Sequence, residues 1–490
     1  MFTTFKNLKP FQLSEYIFLA LFAFLIPISW RIATYVMIGL FLSCILKGIF
    51  EGGFKPNPSQ YKNKLVYFIF IAFWLIYAIS FLYSENTAEA RIQIGKKLSF
   101  LLFPLYFLFS NLSYLNKNRV RTIIYCFVTG ILTFLSINFV WAIIDIIFCN
   151  DEIERLISPS QFFKTNDTIF TEMHRAYFSI ICCMSITFCF KEFFTSTSKK
   201  LKIFNLFSLL ILTISPFFVT SRAGILCTVL LFVILLFWLA FTIKEKKVII
   251  MTGTSIILIL IISYFSFPNS INRFTEAIDK VKEGKGDIRI VLKKSCNNVI
   301  RENFVFGVGI GDRNDETLKA HYNYRDHLVK EILNAVDTDS LLLLKNENQT
   351  YAEYADTTYN FVNKLGEKSE QNASIKNKLS EYKLISSCIG RELNAHNQFN
   401  DTIISVGIVG LLLFFGFFIY PIYFWIKNRT FNIVLFSLLI IIAFNCLFES
   451  VFECQMGIMF FVFFYFLLFH GAFCQQTTSN RFCQIQPTDE

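Results

Sequence analysis

The chain has 490 residues, of which 54% are hydrophobic and only 17% charged, well short of the roughly 25% charged residues of a soluble domain. In a soluble protein the formal net charge of +10 would point to nucleic acid. Here the basic residues sit in short connections between apolar blocks, no RNA- or DNA-binding motif accompanies them, and the charge reads as orientation in a membrane.

The apolar blocks fall at about 14–29, 32–48, 65–83, 98–112, 122–148, 174–190, 203–219, 223–242, 248–266, 402–426, 430–447 and 453–470. A helix needs about 20 residues to cross about 30 Å of hydrocarbon. In lipid such a run must be helical, because its backbone groups find no water to bond. The expected fold is an all-α integral membrane protein of about twelve transmembrane helices, with a large, mostly helical loop between the ninth and tenth. Residues 1–266 would hold helices 1–9, residues 267–401 the loop domain, residues 402–470 helices 10–12, and residues 471–490 a tail. The first block is followed directly by a second without a small-residue cleavage site, unlike a cleaved signal peptide.

With the N-terminus inside, the short inside connections carry Lys6 and Lys9; Lys47, Lys55, Lys62 and Lys64; Lys117, Arg119 and Arg121; Lys191, Lys199, Lys200 and Lys202; Lys244, Lys246 and Lys247; and Lys427 and Arg429. Short connections on the other side are mixed or acidic, as at Asp151, Glu152 and Glu154, or Glu449 and Glu453. The positive-inside rule then puts both termini in the cytoplasm and the large loop outside. Within that loop, residues 313–392 exceed what a simple connection needs, and long loops are usually functional. Cys296 and Cys388 would both lie there. In an oxidising compartment they could pair, although spacing does not decide between a bridge and two free thiols. The other cysteines lie mostly in apolar blocks and act as small hydrophobes. No Cys/His cluster points to a metal, and no cofactor is implied.

Five polar features are not explained by topology. Arg222, in Ser221-Arg222, interrupts an almost continuous apolar stretch from Ile203 to Phe241. The stretch is long enough for two spans, so a tight turn falls there, on the outer side where a topological anchor is not needed. An Arg at mid-bilayer costs about 2.5–3.5 kcal/mol on insertion scales and marks function by default, against the plainer reading of a side chain snorkelling to headgroups. His174-Arg175-Ala176-Tyr177-Phe178 opens the sixth span, where an interfacial belt is an equal alternative. Arg289 precedes Gly307-Val308-Gly309-Ile310-Gly311-Asp312. That glycine cluster lacks the strand-turn-helix setting of a dinucleotide site. His396-Asn397 opens the tenth span, followed by Gly407 and Gly410, which would share one helix face and admit a neighbouring helix. Glu449 and Glu453, four apart, would share a face if helical, or stand as solvated acids at headgroup level. All five fall on the outer side. They would line one cavity in which paired Arg suits an anionic headgroup, since guanidinium binds phosphate bidentately.

The pattern from His396 through Gly407 and Gly410 resembles the signature of the O-antigen ligase and O-antigen polymerase family. Ser221-Arg222 resembles its arginine between consecutive spans, and Arg289 ahead of Gly307-Val308-Gly309 its periplasmic-loop arginine and glycine run. His174 to Phe178 resembles a His-Pro-Thr-Tyr-Phe element with Arg and Ala replacing Pro and Thr, and the Glu449 to Gly457 stretch resembles the final hairpin of the ligase-like branch. The segment 313–392 matches no part of the resemblance. The resemblance implies a metal-independent glycosyltransferase in the bacterial inner membrane, using a polyprenyl-diphosphate-linked glycan as donor. A ligase moves the glycan onto a lipid A-core sugar, and a polymerase extends another lipid-linked glycan. It implies catalytic roles for Arg222, Arg289 and His396, with Arg175, His174, Tyr177, Asn397 and Glu449 around the substrate. A transporter or flippase of lipid-linked sugars is the competing class; its usual marks are internal repeats and broken mid-membrane helices, whereas the sequence shows no repeat and its charges lie at the outer edge, not the midplane. A reporter fused within 313–392 is expected to be active only outside the cytoplasm, and cytoplasmic activity of that fusion would overturn the placement of all five features.

Overall fold

The computed structural model describes residues 8–51, 63–148, 173–243, 245–267, 272, 275, 276, 279, 288–335, 373–391 and 395–483. Among them the regular structure is helical, with no strand. The helices are α1 (Pro10–Leu25), α2 (Trp30–Phe50), α3 (Lys64–Ser80), α4 (Thr87–Lys97), α5 (Ser99–Phe109), α6 (Lys117–Phe148), α7 (Arg175–Thr195), α8 (Lys199–Phe218), α9 (Arg222–Thr242), α10 (Lys246–Ser266), α11 (Ile288–Glu302), α12 (Arg313–Ala335), α13 (Ala373–Ile389), α14 (Gln398–Asn428), α15 (Ile433–Cys446) and α16 (Gln455–Cys483).

Among the described residues, nine stretches are long and apolar enough to cross a membrane: Trp30–Phe50, Lys64–Tyr83, Thr87–Phe109, Lys117–Ile144, Arg175–Thr195, Lys199–Phe218, Arg222–Thr242, Lys246–Ser266 and Gln398–Asn428. Three shorter apolar helices, Pro10–Leu25, Ile433–Cys446 and Gln455–Gly471, lie where the sequence places the first, eleventh and twelfth spans. Local chemistry shortens two of them. Pro27 follows α1 and cannot continue a helix. Asn432 opens α15 late, its side chain accepting from the Val434 and Leu435 amides, and Asn is a preferred N-cap. The fourth stretch begins eleven residues before the expected 98, because polar α4 runs into apolar α5 with a break at Leu98. Hydropathy alone sees only the second half.

The chain divides into two compact units. One comprises Met1–Leu75, Ile94–Ile271 and Leu412–Glu490; the other comprises Ile76–Gln93 and Asn272–Leu411. In the first, α16 is the central element, with every residue from Ile458 to Phe469 buried. Phenylalanines fill the space around it. Phe70 stacks on Phe417 at 4.0 Å between ring centroids and meets Tyr465 at 4.8 Å, within the range where aromatic pairs attract beyond their area. Several buried charges in this unit are paired. Glu15 on α1 takes a 3.0 Å ion pair from Lys47 on α2 and a 3.0 Å hydrogen bond from the Tyr114 hydroxyl. Lys47, an orienting charge in the sequence reading, is therefore buried against a carboxylate. Arg121 at the start of α6 pairs with Glu192 near the end of α7.

In the second unit, α11, α12 and α13 bury Val291, Leu292, Leu328, Ile332, Leu379, Tyr382, Ile385 and Cys388 together. The described parts of the long 313–392 insertion thus build a core onto the helix that carries Arg289. Cys296 belongs to a different cluster, with Val299, Ala320, Ala395 and Ile404. Both cysteines are free and buried, so of the two readings left open by their spacing the structure has the free thiols. Each thiol instead satisfies apolar packing. Burial pushes Cys296 up to about 12, with the charge of Asp401 adding to it, and Cys388 up to about 11, so neither ionises at neutral pH.

The expected Gly407–Gly410 helix face is also corrected. Gly407 is not helical, with φ 67° and ψ −166°, and breaks α14. The break releases hydrogen-bonding groups that a continuous helix would use internally. Ile404 and Ser405 carbonyls accept from the Val308 and Gly309 amides at 2.7 and 3.1 Å, and the Ile408 amide donates to the Phe304 carbonyl at 2.8 Å. Gly307 has φ 73°, and a Cβ there would meet the Ser405–Val406 backbone, while one on Gly407 would meet the Val305 carbonyl. The two glycine motifs are one interlocked joint. A Gly407→Ala variant is expected to lose about 1–3 kcal/mol of stability. Gly95→Ala, in open space on α4, should be neutral or gain up to about 1 kcal/mol; thermal unfolding in detergent compares the two.

Candidate functional site

In the first unit, the candidate residues gather around the start of α7. His174 is its N-cap, with Nδ1 accepting from the Ala176 amide, and Arg175 is its first residue. One turn on, Ser179 donates to the Arg175 carbonyl at 3.0 Å. Gly224, in the first turn of α9, lies so close to Ser179 that a Cβ would strike its side chain. That close approach sets the start of α9 beside the start of α7. The α8–α9 turn is as tight as expected: the Val219, Thr220 and Ser221 amides bond back to Ser215, Phe217 and Pro216. Ser221 caps α9 by accepting from Gly224, which leaves Arg222 as the helix's first residue. Arg222 is half-buried and, among the described residues, takes part in none of the ion pairs.

The other side of α7 meets the turn between α15 and α16. The Tyr177 hydroxyl donates to the Ser450 carbonyl at 3.2 Å, and Gly457 gives its ring room, at 2.8 Å from where a Cβ would stand. Glu449 sits at the start of this turn, half-buried. The expected shared helical face of Glu449 and Glu453 is corrected, since only Val451–Glu453 forms a single 3-10 turn. Nor is Glu453 a solvated acid. It pairs with the wholly buried Lys97 at 2.9 Å, and Lys97 also donates to the Phe452 carbonyl at 3.0 Å. Lys97 was missed by the sequence reading. Its signal was legible: like Arg222, it is a cation against an apolar run on the side where the charge rule asks for none.

The second unit holds Arg289, His396 and Asn397. Arg289 lies in the first turn of α11, half-buried. Asn397 caps α14, its side-chain oxygen accepting from the Phe399 and Asn400 amides at 3.0 and 3.1 Å. His396, just before it, is half-buried with a left-handed φ of 44°, uncommon for a non-glycine residue but tolerated by His. Its neighbour Ala395 packs with Cys296 and Val299 of α11, which ties the His396 loop to the helix bearing Arg289. Beneath it, the buried His321 ring meets the Ser295 hydroxyl at 2.8 Å. The Gly307–Asp312 run does not cradle a phosphate with its amides. Gly309 bonds Ser405, Ile310 bonds the Ser80 hydroxyl at 3.2 Å, and Gly311 bonds the Ser84 hydroxyl at 3.1 Å. Asp312 in turn accepts the Glu85 and Asn86 amides at 2.8 and 2.7 Å.

The three candidate arginines therefore share one local setting: Arg175, Arg222 and Arg289 each stand in the first turn of a helix. The positive end of the helix dipole disfavours a cation there and favours an anion. Among the described residues, no group of three His, Cys, Asp or Glu side chains is placed to hold a metal ion.

Among the described residues, nine helices long and apolar enough to cross a membrane indicate a multi-pass membrane protein. Residues 207–343 match the family model described as O-antigen ligase. The match takes in both Arg222 and Arg289, bears out the resemblance read from the sequence, and supports placing the chain in the O-antigen ligase family. The comparison with curated proteins gave no match.

The Lys97–Glu453 pair anchors the turn that presents Glu449. Lys97→Met or Glu453→Gln alone is expected to cost about 3–5 kcal/mol, because each leaves a buried charge without its partner. The double variant should cost clearly less than the sum of the two, measured as a thermal-unfolding cycle in detergent. Strict additivity would show that the pair contributes no coupling.

Proposed function

We propose that this chain is a metal-independent glycosyltransferase of the O-antigen ligase type, moving a glycan from a polyprenyl-diphosphate carrier to a lipid-linked sugar such as a lipid A-core. The observation that carries the reading is the family match over 207–343, which includes two of the three proposed catalytic residues. The reading takes all twelve apolar helices as spans, both termini as cytoplasmic, the loop as periplasmic, and the membrane as the bacterial inner membrane.

In the reaction, the acceptor hydroxyl attacks the anomeric carbon of the donor sugar, the bond to the diphosphate breaks, and negative charge develops on the departing oxygen. Arg222 and Arg289 meet that charge. Guanidinium stays protonated and makes two parallel hydrogen bonds to phosphate oxygens, and donors aimed at developing charge are the largest single source of catalysis in many enzymes. His396 orients the acceptor hydroxyl or takes its proton, a task suited to an imidazole. His174, Arg175, Tyr177, Asn397 and Glu449 hold substrate around these groups.

The test measures glycan transfer at matched membrane abundance. Arg222→Ala and Arg289→Ala are expected to abolish most transfer, and Arg222→Lys to be impaired because it keeps the charge and loses the fork. His396→Ala should cost roughly 10²–10⁴-fold if the ring is a general base, whereas His396→Gln retains much activity if it only positions the acceptor. Arg175→Ala should be milder, and activity should survive a strong chelator. Near-normal transfer in both Arg→Ala variants eliminates the diphosphate role. A glycan gel of a deletion strain separates the alternatives: long carrier-linked chains mark lost ligation, single repeats lost polymerisation, and absent periplasmic chains lost transport.

A further inference from the structure

Residues 304–306, Phe-Val-Phe, carry large apolar side chains into the open. Phe304 is 46% exposed, Val305 50% and Phe306 69%. They belong to the segment that the sequence reading gave to an aqueous loop. Their surroundings within the same unit are apolar as well: Ile79, Leu82 and Tyr83 at the end of the Lys64–Tyr83 stretch, and Val409 just past the Gly407 break, are all exposed. The Tyr83 hydroxyl donates to the Phe306 carbonyl at 2.7 Å. That bond fixes the tripeptide to the end of a membrane-crossing helix.

The backbone gives a second, independent observation. Irregular chain survives at membrane depth only where its polar groups are satisfied by protein. From 304 to 311 the described partners are all internal. Gly307 donates to Asn303, Val308 to Ile404 and Gly309 to Ser405. Ile310 and Gly311 donate to the Ser80 and Ser84 hydroxyls, the Phe304 carbonyl accepts from Ile408, and the Phe306 carbonyl accepts from Tyr83. Seven backbone groups of this irregular stretch are thus bonded within the protein, where an aqueous loop could leave them to water.

We propose that Phe304–Phe306 is a re-entrant wedge whose side chains enter the acyl chains of the adjoining bilayer leaflet. The occupant is bulk membrane lipid, because the patch continues a lipid-facing stripe. Ile79 and Leu82, both exposed, stand three residues apart on one face where α3 runs into its extension. Tyr83 closes that stripe with the amphipathic ring that favours the membrane–water boundary. The wedge would hold the Gly307–Gly407 joint at the membrane surface.

The test places a photo-cross-linking benzoylphenylalanine at position 306, or at 305 as a second site, with the exposed Tyr322 of α12 as the comparison position. The full-length protein is reconstituted in phospholipid nanodiscs free of polyprenyl lipid, irradiated, and analysed by intact and peptide mass spectrometry after confirming a monodisperse particle. Phospholipid adducts at 306 and 305, and none at 322, are expected. Cross-links only to a second copy of the chain overturn the proposal in favour of self-association. Adducts that appear only when a polyprenyl diphosphate is added overturn it in favour of a groove for a carrier chain. Absence of any lipid adduct at both 305 and 306 overturns it outright.

Discussion

Hydrocarbon offers a charge nothing to bond with, and the fold follows from how this chain meets that constraint. Several charged side chains among the apolar helices have counterparts on remote segments: Glu15 meets Lys47 and Tyr114, Arg121 meets Glu192, and Lys97 meets Glu453. Each pair links segments far apart in sequence, so each sets which helices are neighbours as well as neutralising a cost. A buried pair does not by itself guarantee stability, because desolvation consumes most of the attraction. Its effect is on specificity, since any other arrangement of these helices strands a charge.

The same constraint acts on the backbone at Gly407. A helix interrupted there would leave carbonyls and amides unanswered. In this chain the interruption is answered by residues 304–309, which return exchanged hydrogen bonds to Ile404, Ser405 and Ile408. Only glycine permits both the left-handed φ and the closeness of approach. The joint fastens the loop to the start of α14. The core made with α12 and α13 then stiffens α11, whose first turn bears Arg289. The described parts of a long insertion that looked like surplus thus pack against that one short helix.

Much of the fold was legible because a run of twenty apolar residues has one stable form in lipid. The apolar helices and the α8–α9 turn at Ser221 came from that rule. Features that depend on partners remote in sequence were not legible. Lys97 could be suspected from its side of the membrane, but Glu453 could not be named as its partner. Gly407 and Gly410 fit a helix-packing motif equally well, since spacing cannot say whether a helix continues through a glycine. Cys296 and Cys388 offered a bridge by count, whereas packing separated them into different clusters.

The arginines show how a broken local rule marks chemistry. Helix starts favour acids, yet α7 and α9 open with Arg175 and Arg222 and α11 carries Arg289 in its first turn, with no acidic residue in any of those three turns. Each misplacement costs about 0.3–1 kcal/mol at an exposed end, and more where the site is partly buried. Natural sequences keep such conflicts mainly where function needs them. In the glycosyl transfer proposed above, an arriving diphosphate would reverse the sign of the conflict. The helix dipole and the guanidinium would then act on the same anion. Stability withheld from the empty protein would in this way become affinity for the charged group, greatest when the charge on the departing diphosphate is greatest.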